Sequence, residues 1–271
     1  MSISADSRRL LLAFFFLACL PAFAQEKGEL LWQDEFNEEG KPNPEHWGYD
    51  LGDGCPDICG WGNNEKQTYT DQQENVRVEN GKLIIEAHQL PEGGYSSARI
   101  KTKEKANWEY GYIEVRAKLP YGRGSWPAIW MLSGAKGFKW PRDGEIDIME
   151  YKGSHPEWVY GTTHTKAYNH VKGTQIGDSI KVFQPHESFN NYALNWMPDK
   201  LEWLINGVVF HTIHKSGGDY SEWPFDQPFY LILNLAVGGN FGGEYGVDEG
   251  IWPQRMEVEY VRVYEPLTRA D

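Results

Sequence analysis

Three carboxylates crowd into six positions of "DGEIDIMEY" (residues 143–151): Glu145, Asp147 and Glu150, spaced by the apolar Ile146, Ile148 and Met149. A pair of carboxyl groups held at different proton affinities suits glycoside hydrolysis. One attacks the anomeric carbon and the other donates a proton to the leaving oxygen. On a regular strand, side chains alternate with period two, so Glu145 and Asp147 share a face. Glu150 would then enter the apolar layer with Ile146 and Ile148, where an unpaired carboxylate is costly. One extra residue, a β-bulge near Ile148 or Met149, returns Glu150 to the side of Glu145 and Asp147. The spacing therefore predicts a kinked strand that lines one surface with three acids. Spacing alone equally allows a calcium site or a solvated strand face, because acidic clusters also bind Ca²⁺.

The acids follow "GSWPAIWML" (124–132), where Trp126, Ala128 and Trp130 share a strand face. Two indoles flanking a small residue make a flat platform for the C–H faces of sugar rings; a core tryptophan pair is the alternative reading. Pro127 points to a strand edge or a bulge.

The elements that must carry these residues read as strands throughout. "KLIIEAH" (82–88) follows the turn signal Asn80-Gly81. "GYIEVRAKL" (111–119) alternates, with Ile113, Val115, Ala117 and Leu119 on one face. "LEWLI" and "VVFHTI" flank Asn206-Gly207, a two-residue hairpin signal. "FYLILNLAV" (229–237) reads as a strand buried on both faces, and "MEVEYVRVYE" (256–265) as the last strand. Many strands, turns supplied by 29 Gly and 15 Pro, and little helical periodicity predict an all-β sandwich or barrel.

A formal net charge of -13 argues against nucleic acid, whose phosphates need a basic footprint, and mildly against a polyanionic substrate. Rings with a polar tip, 12 Trp and 15 Tyr, suit a site that is apolar on one side and wet on the other. There is no glycine-rich phosphate loop, no HExxH and no G-x-S-x-G elbow, and the histidines lack metal-ligand spacing. Catalysis is expected to need no cofactor.

At the N-terminus, Arg8 and Arg9 precede the apolar run Leu10–Leu20, and Ala22-Phe23-Ala24 is a small-x-small cleavage site. Residues 1–24 read as a signal peptide, leaving 25–271 as one catalytic domain, secreted or periplasmic and with no membrane span. In the alternative, Leu17-Ala18-Cys19 is a lipoprotein processing site and Cys19 carries the anchor. Cys55 and Cys59 remain after cleavage, an even pair expected to close a small loop as a disulfide. The chain is expected to act as a monomer.

Taken together, the motifs resemble glycoside hydrolase family 16 and its laminarinases (endo-β-1,3-glucanases). The acidic strand is similar to the family's ExDxxE signature. "LLWQDEFN" (30–37), "GWGNNEKQTYT" (60–70), "SARIKTK" (97–103), "GTTH" (161–164), "LNLAVGGN" (233–240) and "VEYVRVYE" (258–265) follow in family order. The resemblance implies a β-jelly-roll of two curved antiparallel sheets with a concave substrate cleft. It implies Glu145 as nucleophile, Glu150 as general acid/base and Asp147 as the group that tunes their titration. Trp126 and Trp130 would stack sugars, Trp61 would bind substrate, and Asn63, Arg99 and His164 would contact substrate hydroxyls or Glu150. It further implies a structural calcium on the far side, held by Glu35, a carbonyl near Gly81 and Glu259, where relatives usually carry Asp. Phe241 stands where many relatives carry Trp. The implied substrate is a β-1,3-glucan; mixed-linked β-1,3-1,4-glucan, a marine galactan and a non-catalytic glycan-binding role are the alternatives.

Overall fold

A computed structural model describes residues 27–267. The segment read as a signal peptide, with Ala24 and Cys19, lies outside the described residues. Two β-sheets account for the architecture, and the longest α-helix among the described residues is the single turn Gly239–Gly242.

The seven-stranded sheet runs in the order Ile176–Lys181, Trp158–His164, Glu145–Tyr151, Ser125–Ser133, Phe229–Val237, Arg99–Lys101, Gly48–Asp50, with every neighbouring pair antiparallel. The ten-stranded sheet is built around Gly111–Lys118 and Gln254–Tyr264. It includes the hairpin Lys200–Ile205 and Val208–His214, joined by Asn206 (φ 50°) and Gly207 (φ 80°). Both turn residues lie in the left-handed region, as the Asn-Gly signal predicts for a turn that matches strand twist.

The facing sides of the two sheets share one apolar core. Ile113, Val115, Ala117 and Leu119 enter it from the ten-stranded sheet, on the face that their alternation predicts. Phe229–Val237 is buried along its whole length, because it sits in mid-sheet with the core on one face and the cleft floor on the other. Pro127 lies inside a strand rather than at a sheet edge. Its missing N–H is tolerated because the pairing with the acidic strand stops one residue earlier, at Glu150 opposite Ala128.

Candidate active site

The strand Glu145–Tyr151 carries the irregularity that its charge spacing predicts. Toward one neighbour, Asp147 stands opposite Trp130 while Met149 already stands opposite Ile129. Toward the other, Asp147 stands opposite Thr162 and Glu150 opposite Tyr160. Both ladders slip by one residue, so Ile148 is the extra residue of a bulge. Ile146, Ile148, Met149 and Tyr151 all point into the core, each at most 1% exposed. Glu145, Asp147 and Glu150 all line one cavity of about 370 Å³ on the opposite face. A second cavity of about 560 Å³ shares Glu145, Glu150 and Trp126 with it and continues past Tyr160, Thr162 and Gln175. The acids therefore stand at the middle of a cleft that crosses the sheet.

A bulge releases backbone groups from the ladder, and a buried carbonyl needs a donor. The Asp147 carbonyl takes one from the other sheet: Trp203, fully buried, donates its indole N–H across the core at 2.8 Å. Gly161 makes room for that indole, since a Cβ there would stand 2.5 Å from Trp203 Cδ1.

Each acid has its own setting. Trp140 Nε1 donates to Glu145 Oε2 at 3.1 Å, and Trp126 Nε1 donates to Glu150 Oε1 at 3.1 Å. His164 stands opposite Glu145 in register, and that position decides its partners. Its Nε2 lies 3.6 Å from Glu145 Oε1 and 3.4 Å from Asp147 Oδ2, so it serves these two carboxyls and is not hydrogen-bonded to Glu150. The His170 backbone N–H donates to His164 Nδ1 at 3.3 Å, which fixes the ring proton on Nε2, facing the acids. A nitrogen that carries a proton is not a metal ligand. The trio Glu145, Asp147 and His164, close enough to hold an ion, therefore reads as a proton-sharing cluster.

Burial raises the proton affinity of all three acids. Glu145 is pushed up to about 8 by desolvation and by the neighbouring Asp147 charge. Asp147 rises to about 8 by desolvation. Glu150 rises to about 8 by desolvation and by the charge on Asp147. Buried Asp147 Oδ2 has no hydrogen-bond donor of good geometry, as suits a carboxyl that keeps or shares a proton. Near neutral pH the cluster holds fewer than three negative charges, and its titration belongs to the group rather than to one residue.

The cleft floor is aromatic. Trp126 and Trp130 both line it, with Ala128 between them. The Arg99 guanidinium lies 4.7 Å from the ring centres of both Trp61 and Trp130, and Asp50 accepts its charge at 3.0 Å. Asn63 lines both cavities. Phe241 packs against Trp126 at 5.5 Å and Tyr160 at 5.3 Å, with the Lys152 ammonium 4.7 Å from its ring, so a smaller ring with a cation behind it closes this part of the wall.

Several residues of the site were not singled out by sequence. Glu65 is a half-buried carboxyl whose Oε2 accepts from Gln67 Nε2 at 2.6 Å and Tyr69 OH at 3.2 Å. Tyr69 OH accepts from Asn234 Nδ2 at 3.0 Å, and Asn234 Oδ1 accepts from Trp130 Nε1 at 2.7 Å. This chain of bonds fixes the Trp130 ring opposite Asp147. Desolvation holds the Glu65 proton affinity above its ordinary value in spite of these donors. The available signal was chemical type: Glu65 and Asn234 are polar residues inside quoted motifs. Trp140 and His170 sit in loops, and Trp203 lies across the core from the site it serves.

The two carboxylates named for calcium are each already paired with a cation. Arg262 holds the Glu35 carboxylate at 2.6 and 2.9 Å, and Arg116 holds Glu259 at 2.5 Å. Among the described residues, the group of three or more acidic, His or Cys ligands close enough to share an ion is the cluster in the cleft. Cys55 and Cys59 form the expected disulfide.

Residues 63–262 match the family model described as glycosyl hydrolases family 16. The chain is 49% identical over 247 residues to a beta-glucanase of Rhodothermus marinus, covering 87% of this chain and 85% of that one. It is 40% identical over 274 residues to a glucan endo-1,3-beta-glucosidase of Cryptopygus antarcticus, covering 92% and 96%. The solved laminarinase of Rhodothermus marinus superposes with a TM-score of 0.83 at 46% identity, over 89% of this chain and 98% of that one.

Proposed function

Because the chain belongs to glycoside hydrolase family 16, we propose that it is an exported, endo-acting β-1,3-glucanase that cleaves with retention of anomeric configuration. The observation that carries the reading is the one-residue slip at Ile148, which turns Glu150 out of the core into the same cleft as Glu145 and Asp147.

In this reading the ionised Glu145 attacks the anomeric carbon as the glycosidic C–O bond breaks. Glu150 gives its proton to the departing oxygen, so that a neutral alcohol leaves. Water then attacks the glycosyl ester, Glu150 takes the water proton, and Glu145 departs as carboxylate. The Nε2–H of His164 and the proton shared with Asp147 stabilise the negative charge that Glu145 regains. Desolvation raises Glu145 and Glu150 alike, so the cluster shares its protons as a group; the assignment of Glu145 as the ionised partner and Glu150 as the acid rests on their positions in the family's ExDxxE motif. The open cleft on both sides of the acids supports attack within a chain rather than at its end. The disulfide supports an oxidising compartment, in keeping with cleavage after Ala24.

Proton NMR of the first product released from laminarin tests the mechanism: the β-anomer is expected, and the α-anomer as first product would overturn retention. A panel of laminarin, lichenan, agarose and carrageenan tests the polymer, with the highest kcat/KM expected on laminarin.

A further inference from the structure

Two exposed large apolar side chains, Ile58 at 52% and Val171 at 74%, line the same cavity as Trp61, Trp130 and Glu145. They arrive from opposite edges of the cleft sheet. Ile58 follows the edge strand Gly48–Asp50, and Val171 precedes the edge strand Ile176–Lys181. Singly exposed apolar side chains are ordinary on any surface. These two differ because each sits at the tip of a loop built to hold it still.

The Cys55–Cys59 disulfide closes around Ile58. Ile58 N donates to Gly54 O at 2.8 Å, Gly62 N to Ile58 O at 3.1 Å, and Gly60 N to Asp53 O at 2.8 Å. On the other side, Val171 rides the short turn His170–Lys172. Buried Asn169 caps that turn, accepting from Lys172 N at 3.3 Å and donating to Thr165 O at 3.0 Å. The His170 N–H bond to His164 ties the same turn to the catalytic cluster. Tips ordered before binding lose little entropy when a ligand arrives.

We propose that Ile58 and Val171 are the jaws of a clamp that grips the C–H faces of glucose units remote from the cleaved bond, so that the cleft favours long chains over short oligosaccharides. The inference rests on the β-1,3-glucanase reading above. A saccharide is the fitting occupant because the cavity runs without interruption from the acids and has indoles on its floor. Asn63, Glu65 and Arg99 offer polar groups to hydroxyls, and the jaws offer aliphatic carbon to ring faces. Both tips lie away from the core, so replacing them perturbs contact rather than folding.

The test compares kcat/KM on a β-1,3-glucan hexasaccharide with kcat/KM on the trisaccharide. Ile58→Ser and Val171→Ser should each lower that ratio about threefold to tenfold, the worth of about one buried methylene or somewhat more. The double variant should lower it further. Cys55→Ser with Cys59→Ser, which frees the loop but keeps Ile58, should move it the same way. Val208→Ser, at a position exposed on the other sheet, should leave the ratio unchanged. An unchanged ratio in both jaw variants, with an active wild type, overturns the clamp. A wild type that releases no sugar from laminarin overturns instead the reading on which it rests.

Discussion

Replacing Glu145 by glutamine removes a charge that the fold must otherwise shield from water, and this should make the protein more stable in a pH-dependent way. The carboxyl moves from 4.5 to about 8 on folding, chiefly by desolvation and then by Asp147. A group whose proton affinity rises on folding contributes its stability fully below its unfolded value and loses it as pH climbs through the folded one. Wild type should therefore weaken between pH of about 4.5 and about 8. At about 1.4 kcal/mol per tenfold change in proton affinity, the displacement corresponds to at most roughly 5 kcal/mol. The Glu145 side chain keeps 14% of its surface in an open, wet cleft. Screening there reduces the effect to about 1–2 kcal/mol. For a chain of this size that is a gain of roughly 2–8 °C in Tm. Glutamine keeps an oxygen for the Trp140 N–H, so the comparison isolates charge.

The assay is differential scanning calorimetry of both proteins from pH 4.5 to 9 at constant ionic strength. All titrations common to the two cancel in the Tm difference. That difference should start near zero and grow with pH to a plateau above about 8. Asp147→Asn should behave alike, for the same cause. A difference that is constant across the range, or that shrinks as pH rises, would refute burial as the source of the raised proton affinity.

Other outcomes follow from the same geometry. Trp203→Phe leaves the bulge carbonyl without its donor at the core, so it should cost about 1–3 kcal/mol and lower kcat more than it raises KM on laminarin. Gly161→Ala should destabilise comparably in denaturant titration, because its methyl would press on the same indole. The pH–rate profile should fall on its alkaline side near pH 8 as Glu150 loses its proton, and Glu150→Gln should abolish laminarin turnover while the circular dichroism spectrum is kept. Exhaustive EDTA treatment should leave Tm unchanged, since Arg262 and Arg116 already neutralise Glu35 and Glu259.

What could be read in advance depended on whether a residue's own chemistry conflicted with its surroundings. Glu150 is out of phase with Glu145 on an otherwise apolar strand, and a misplaced charge admits few resolutions; the bulge is one of them, and it fixes which face the acids share. The Asn206-Gly207 hairpin was legible for a related reason: two successive left-handed residues suit few side chains. His164 was legible as a site residue but not in its partners. Its pairing with Glu145 follows from the register between two strands, which no local pattern encodes. Glu35 and Glu259 could be recognised as acids in family positions, yet the cations that meet them, Arg262 and Arg116, are decided by how strands lie side by side.

Trp203 marks the far limit of such reading. Its partner is a backbone oxygen 56 positions away, and every residue has a backbone oxygen, so the sequence carries no mark of the pairing. Yet the bulge that the acids reveal already implies such a donor, because it removes a buried carbonyl from its ladder. The spacing of three charges thus predicts that some polar group must reach the acidic strand through the core, and only the packing of the two sheets decides that an indole does so. The acidic strand is in this sense a property of both sheets: its acids face the cleft, and its kink is held from behind.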